Sequence, residues 1–191
     1  MPDFPLRTSH RDSMLRSAPL PSDEAFTVHV IENMQVVSLR HLADRTEAIE
    51  RTLAVHHLTR LPKPGTYDGT DPWFVWTGPT EILLLTSIEA IAEDMLHALS
   101  PNNEDLACAF DSSAGCVVFD LLGPGINHVL RRLLDASAIP MQAPHAIRAR
   151  FMDVCAVVVR LGPERALVAV DRSYASYAAT WMAHTWRAEA S

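Results

Sequence analysis

Phe74-Val75-Trp76-Thr77-Gly78-Pro79-Thr80-Glu81-Ile82-Leu83-Leu84-Leu85 and Val158-Val159-Arg160-Leu161-Gly162-Pro163-Glu164-Arg165-Ala166-Leu167-Val168-Ala169 are two stretches of one design. In each, an apolar run reaches a Gly-Pro pair and a second apolar run follows. Short apolar runs bounded by turn residues read as buried strands, and Gly-Pro reads as the turn between them. Each stretch then enters a helical stripe. Ile88, Ile91, Ala92, Met95, Leu96 and Leu99 make the first, and Tyr174, Tyr177, Ala178, Trp181 and Met182 the second. The two turns lie about half the chain apart, as an internal duplication places them. Chance recurrence of a common turn is the competing reading. The shared order of elements around the dipeptide weighs against it.

Working outward, Thr27 to Ile31 and Met34 to Leu39 read as short strands around a Glu32-Asn33 turn, and a helix follows from Leu42 to His56. Leu61 to Pro72 reads as a loop rich in Pro and Gly. Thr86, with Glu89 three residues on, reads as the cap of the first striped helix. Leu106 to Phe110 and Cys116 to Leu122 read as strands, and Gly123-Pro124 as the opening of a helix with proline in its first turn. A strand pair spans Ala149 to Leu161, broken near Asp153. The reading is an α+β chain of two ferredoxin-like (split β-α-β) lobes with mostly antiparallel sheets, packed around a shared apolar seam. Residues 1–25 hold Pro2, Pro5, Pro19 and Pro21 without helix or strand period. They read as an extended arm that stays mobile or lies along a partner. The folded part is 26–191, with halves of 26–103 and 104–191.

Composition excludes several roles. The net charge is -7 and no basic run interrupts it, which disfavours nucleic-acid binding. Lys63 is the single lysine, and arginine supplies the other positive charges, the residue better suited to fixed ion pairs and interfaces. No apolar run reaches the length of a membrane span and no signal core opens the chain, so the expected compartment is the cytoplasm. Cys108, Cys116 and Cys155 form no CxxC pair and read as reduced, buried thiols.

No dinucleotide fingerprint, P-loop or GxSxG elbow is present. Gly123-Pro124-Gly125 is the tightest glycine pair, and its proline suits a helix start better than a phosphate cradle. His56 and His57 are adjacent and point apart on a helix, so the nine histidines offer no zinc spacing. Asp111, between two strands, is either a general base or a turn-former whose carboxylate accepts backbone N–H groups. Lacking a partner base, it reads as the turn-former. Trp73, Trp76, Trp181 and Trp186 are core or interface anchors. Trp181 lies on the helical stripe, and Trp186 is placed to meet a partner. The residues therefore assign no catalytic, cofactor-binding or metal site to this chain.

Two segments carry a resemblance. Asp111-Ser112-Ser113 with Leu121-Leu122-Gly123-Pro124 and Leu130 resembles the D-x-S … L-x-G-P … L pattern of the folate-binding aminomethyltransferase superfamily. Trp76, Gly78, Pro79, Glu81 and Leu83 to Leu85, together with Arg160, Leu161, Gly162, Arg172, Ser173, Tyr174, Ala175, Tyr177 and Trp181, resemble the gamma subunit of heterotetrameric sarcosine oxidase. The match runs from Phe26 to Trp186. Ser137 to His145 departs from that family by lacking its Cys-Pro-Leu-Asp-Leu stretch, and Ala149-Arg150-Phe151 replaces another family strand. The resemblance implies the fold of a folate-binding lobe and a place in a four-subunit complex. In such a complex, larger alpha and beta subunits hold FAD, FMN, NAD and tetrahydrofolate, and a small delta subunit binds zinc. The complex would oxidise the N-methyl group of sarcosine or a related secondary amine. The gamma-like chain would bind no cofactor and serve assembly. A stand-alone folate-binding or one-carbon transfer protein, with Asp111 near a pterin, is the alternative.

Overall fold

The computed structural model describes residues 20–42, 46–55, 61–100 and 106–188. In chain order these form β1 (Thr27–Val30), β2 (Gln35–His41), α1 (Glu47–Val55), β3 (Tyr67–Asp68), β4 (Trp73–Gly78), β5 (Glu81–Thr86) and α2 (Glu89–Ala98). There follow β6 (Ala107–Asp111), β7 (Cys116–Leu122), α3 (Ile126–Leu133), β8 (His145–Phe151), β9 (Val154–Gly162), β10 (Arg165–Asp171) and α4 (Ala175–Arg187). The arm expected over 1–25 lies outside the described residues up to residue 19.

The strands make two five-stranded sheets of one plan, β6-β2-β5-β4-β3 and β1-β7-β10-β9-β8, every neighbour antiparallel. In each sheet the Gly-Pro hairpin supplies the third and fourth strands of that order. The first sheet carries α1 and α2 on its outer face, against Val37, Leu39, Phe74, Ile82 and Leu84. The second carries α3 and α4, against Phe119, Leu121, Val158, Ala166 and Val168. The inner faces pack on each other through Val36, Val75, Leu83, Leu85, Val118, Val159 and Leu167. The result is a four-layer helix–sheet–sheet–helix sandwich. Strands buried on both faces read as continuous apolar runs rather than alternating ones, which is why the Gly-Pro stretches are so uniform.

Each half lends its first strand to the other half's sheet. β1 pairs with β7, Val28 opposite Leu121, and β6 pairs with β2, Ala109 opposite Leu39. The Glu32-Asn33 turn is therefore no hairpin; with Asn33 at φ 59° it hands the chain from one sheet to the other. The two α+β lobes are reciprocally strand-exchanged and share one sandwich.

Local readings shift in four places. α3 begins at Ile126, with Pro124 in the turn before it, because Gly123 at φ 110° starts a separate turn closed by Ile126 N–H to its carbonyl. Thr86 is not a helix cap. Its hydroxyl accepts Ile88 N–H at 3.1 Å and donates to Asp71 at 2.8 Å, and the helix starts at Glu89. Ile88, expected on the buried stripe, is exposed, since it precedes the helix. The loop at Leu61 to Pro72 contains the short strand β3.

Candidate functional site

Alternation along β2 sends Val37 and Leu39 outward to the helices and Val36, Ser38 and Arg40 inward. At the far end of the inner face the apolar filling stops and a cleft of about 480 Å³ opens between the sheets. Its first-sheet wall includes Ser38, Arg40, Glu81 and Phe110; its second-sheet wall includes Arg148, Cys155, Val157 and Asp171. That volume falls within the range of ligand pockets.

Glu81 is the hub. Arg148 grips it in a bidentate pair, Nη1 to Oε2 at 2.9 Å and Nη2 to Oε1 at 3.0 Å. Ser38 Oγ donates to Oε1 at 3.1 Å, and Arg40 stands 3.9 Å off. Burial pushes the Glu81 carboxyl up, but Arg148, Ser38 and Arg40 outweigh it and hold it below its ordinary value. Asp171 is committed elsewhere: its Oδ1 accepts Ser173 N–H at 2.8 Å and the Ser173 hydroxyl, which lower its pKa.

The thiols depart from the buried reading. Cys155 is exposed and Cys108 half-buried, because they sit on inner-face positions where the opposite sheet has drawn away. Burial, then the Asp171 charge, pushes the Cys116 thiol up to about 11, so it is a poor nucleophile at neutral pH.

Asp111 forms a turn: Oδ1 accepts Ser113 N–H at 2.9 Å. The Ser113 hydroxyl in turn accepts Val36 N–H at 2.9 Å. Arg172, from the start of the last helix, donates to the carbonyls of Ser113, Ala114 and Cys116. Two motifs that carried the resemblance, Asp111-Ser112-Ser113 and Arg172-Ser173-Tyr174, thus meet in one local structure. It is a clamp built on backbone carbonyls.

Gly123-Pro124-Gly125 is filled by the chain itself. Gly125 N–H donates to Ala25 C=O at 2.9 Å, and a Cβ on Gly125 would lie 2.5 Å from the Trp186 ring. Trp186 packs on Phe26 at 5.2 Å, and its Nε1–H donates to Asp23 Oδ2 at 2.6 Å. This tryptophan fastens residues 23–26 to the second lobe. Trp73 is buried between the sheets, and Trp181 is half-buried beside α4's core face. Among the described residues no group of three or more His, Cys, Asp or Glu side chains converges to hold a metal ion, and no helix is long and apolar enough to cross a membrane.

Sequence reasoning missed the Glu81–Arg148 bridge and the burial of Arg160. Arg160 is fully buried, with Nη2 donating to Pro163 C=O and with Nε and Nη1 unpartnered. The bridge joins residues 67 apart in sequence, and the burial of Arg160 depends on what packs over it, so no local spacing announces either.

The architecture has counterparts among solved structures. A chain of heterotetrameric sarcosine oxidase from Corynebacterium sp. U-96, in complex with pyrrole 2-carboxylate, matches 95% of this chain and 94% of its own length, with a TM-score of 0.77 and 20% identity. Glycine cleavage system aminomethyltransferase T from Bartonella henselae matches 83% of this chain with a TM-score of 0.57 and 12% identity, but only 45% of its own length. No family model and no curated protein matches the sequence. The fold is the one shared by these two proteins: an α+β sandwich of two antiparallel sheets.

Proposed function

We propose that this chain is a non-catalytic, gamma-like subunit of a cytoplasmic, heterotetrameric sarcosine oxidase-type flavoenzyme complex. The complex would carry out oxidative N-demethylation of sarcosine or a related secondary amine. The observation that carries this reading is the end-to-end match, 95% against 94%, to a chain of a heterotetrameric enzyme. The Trp76 to Leu85 and Arg160 to Trp181 patterns support it independently. FAD, FMN, NAD, tetrahydrofolate and zinc belong, on this reading, to larger alpha and beta partners and a small delta partner.

The chain's own chemistry agrees with an assembly role. In the cleft Glu81 is held by Arg148, and Asp171 accepts the Ser173 N–H and hydroxyl. The Gly123-Pro124-Gly125 turn, read from sequence as a helix start rather than a phosphate cradle, is packed against Ala25 and Trp186. A subunit of this kind acts by binding linkage, stabilising the folded form of its partner.

The test is purification of the tagged full chain from its native cell, read by absorbance of bound flavin. Stoichiometric recovery with a large flavin-containing chain is expected. A lone monomer would overturn the reading. Calorimetric titration of the isolated chain with tetrahydrofolate separates the alternative, a stand-alone folate or one-carbon protein, which alone predicts binding heat.

A further inference from the structure

The first sheet overhangs the second. On its inner face, at and beside the cleft, three of the seven large apolar residues that are exposed among the described residues lie together on two paired strands. Leu42, 56% exposed, extends β2; Leu106, 55%, leads into β6; and Phe110, 45%, stands near the end of β6. Leu42 N–H donates to Leu106 C=O, which sets the two leucines side by side. Cys108 lies between Leu106 and Phe110 on the same face by alternation, directly opposite Arg40. An uncovered apolar sheet face of this kind marks a contact surface.

Arg40 selects the occupant. Arg148 and Arg40 share the single Glu81 carboxylate, the first in a bidentate pair and the second at 3.9 Å, so the three groups keep one net positive charge, and the Arg40 side chain is 61% exposed. A surface closing over the stripe strips water from this guanidinium, which is costly unless the incoming surface brings an anion. A second copy of this chain does not supply one: two-fold self-pairing across a stripe centred on Arg40 sets cation against cation. We propose that Arg40, Leu42, Leu106, Cys108 and Phe110 form the docking surface for the flavin-bearing partner chain of the assembly. The partner's matching segment presents apolar side chains around an aspartate or glutamate that pairs with Arg40. This assignment rests on the reading of the chain as a complex subunit.

The experiment uses the full chain co-expressed with its flavin-bearing partner, in wild-type form and as Phe110→Ser, Leu42→Ser/Leu106→Ser and Arg40→Glu. Phe110, Leu42 and Leu106 are exposed, so those free variants should keep the wild-type melting temperature, which is checked first; Arg40→Glu sets a like charge beside Glu81, so its affinity is read at a temperature where circular dichroism shows the variant folded. The Phe110 and double-leucine variants are expected to lose about 30-fold or more in affinity. Arg40→Glu should lose most at low salt, where a charge reversal is least screened. Maleimide labelling of Cys108 should slow on complex formation. Wild-type retention of the partner by all variants, with Cys108 still open to labelling, would overturn the surface and leave the subunit reading standing. Absence of any flavin-bearing partner on the wild-type chain would overturn both. An isolated wild-type dimer that the same substitutions dissolve would show the occupant to be a second copy and overturn the proposal.

Discussion

Glu81 on β5 and Arg148 on β8 bond at two points, 2.9 and 3.0 Å, and so tie one sheet to the other at the mouth of the cleft. Glu81 has only 17% of its side chain exposed, so the pair is partly shielded, while Arg148 at 38% keeps contact with solvent. Removing one partner should therefore cost about 1–2 kcal/mol, between a surface pair and a buried one. Glu81→Gln and Arg148→Met are each expected to lower the unfolding free energy from urea titration by that amount at neutral pH. Because Glu81 titrates below its ordinary 4.5 in the fold, its contribution is complete above that value. It is lost as pH falls through the lower folded value. Acid titration of stability should be shallower in Glu81→Gln than in the wild type; an unchanged acid limb would reject the linkage.

Gly123 and Gly115 offer a matched comparison. Gly123 sits at φ 110°, and a Cβ there would lie 2.4 Å from the Ala25 carbonyl oxygen, a backbone atom that cannot swing aside. Nothing lies within 4 Å of a Cβ built on Gly115. Gly123→Ala should destabilise by about 2 kcal/mol or more, and Gly115→Ala by less than about 0.5 kcal/mol. Thermal melts of the two variants decide it, and equal effects would contradict the geometry.

Arg160 is a buried cation with one carbonyl for company. Its position, two residues before Gly162-Pro163, is matched in the first half by Trp76, two residues before Gly78-Pro79. The duplicate site thus holds a large apolar side chain. Burial alone lowers the Arg160 pKa, and two of its nitrogens lack acceptors. Replacing a poorly compensated buried charge with an apolar side chain of similar length stabilises proteins by about 1–3 kcal/mol. Arg160→Met is expected to raise the urea midpoint accordingly, and a large loss of stability would show that the guanidinium has a counter-charge.

What the sequence could show was set by local physics. The Gly-Pro hairpins and the apolar faces of α2, α3 and α4 were legible because burial on both faces of a strand, or one face of a helix, leaves a pattern within a dozen residues. The exchange of β1 and β6 was not legible. Either strand satisfies the same edge position, and the choice is made by packing between halves. Arg40, Glu81 and Arg148 stand on three different strands, and nothing local in the sequence marks them as partners. Only the offset of the two sheets gives them a common cleft. Trp186 was read outward toward a partner, yet Asp23 and Phe26 of its own chain take it.

The cysteines should react in an order fixed by exposure and pKa. Cys155 is open at the cleft, while the Cys116 thiol is displaced to about 11. Iodoacetamide at mildly alkaline pH, followed by peptide mass spectrometry, should modify Cys155 first and Cys116 last. Early modification of Cys116 would mean that the β7 end opens in solution.

The strand exchange bears on whether either half can fold alone. A chain cut between residues 100 and 106 gives two pieces, each holding a first strand that belongs in the other's sheet. Alone, the first piece lacks β6, so β2 loses an edge partner. It also lacks the second sheet, so Val36, Val75, Leu83 and Leu85 lose their cover. The second piece lacks β1 in the same way, and with it Phe26 and Val28 from the core beneath α3 and α4. Exposing a whole sheet face together with an open edge removes more apolar burial than a lone lobe of this size can spare. Neither piece, expressed separately, should give a cooperative melt as a monomer. Mixing or co-expressing them should restore the native circular dichroism spectrum and a single transition. A monomeric half with its own sharp transition would show that the exchanged strand is dispensable.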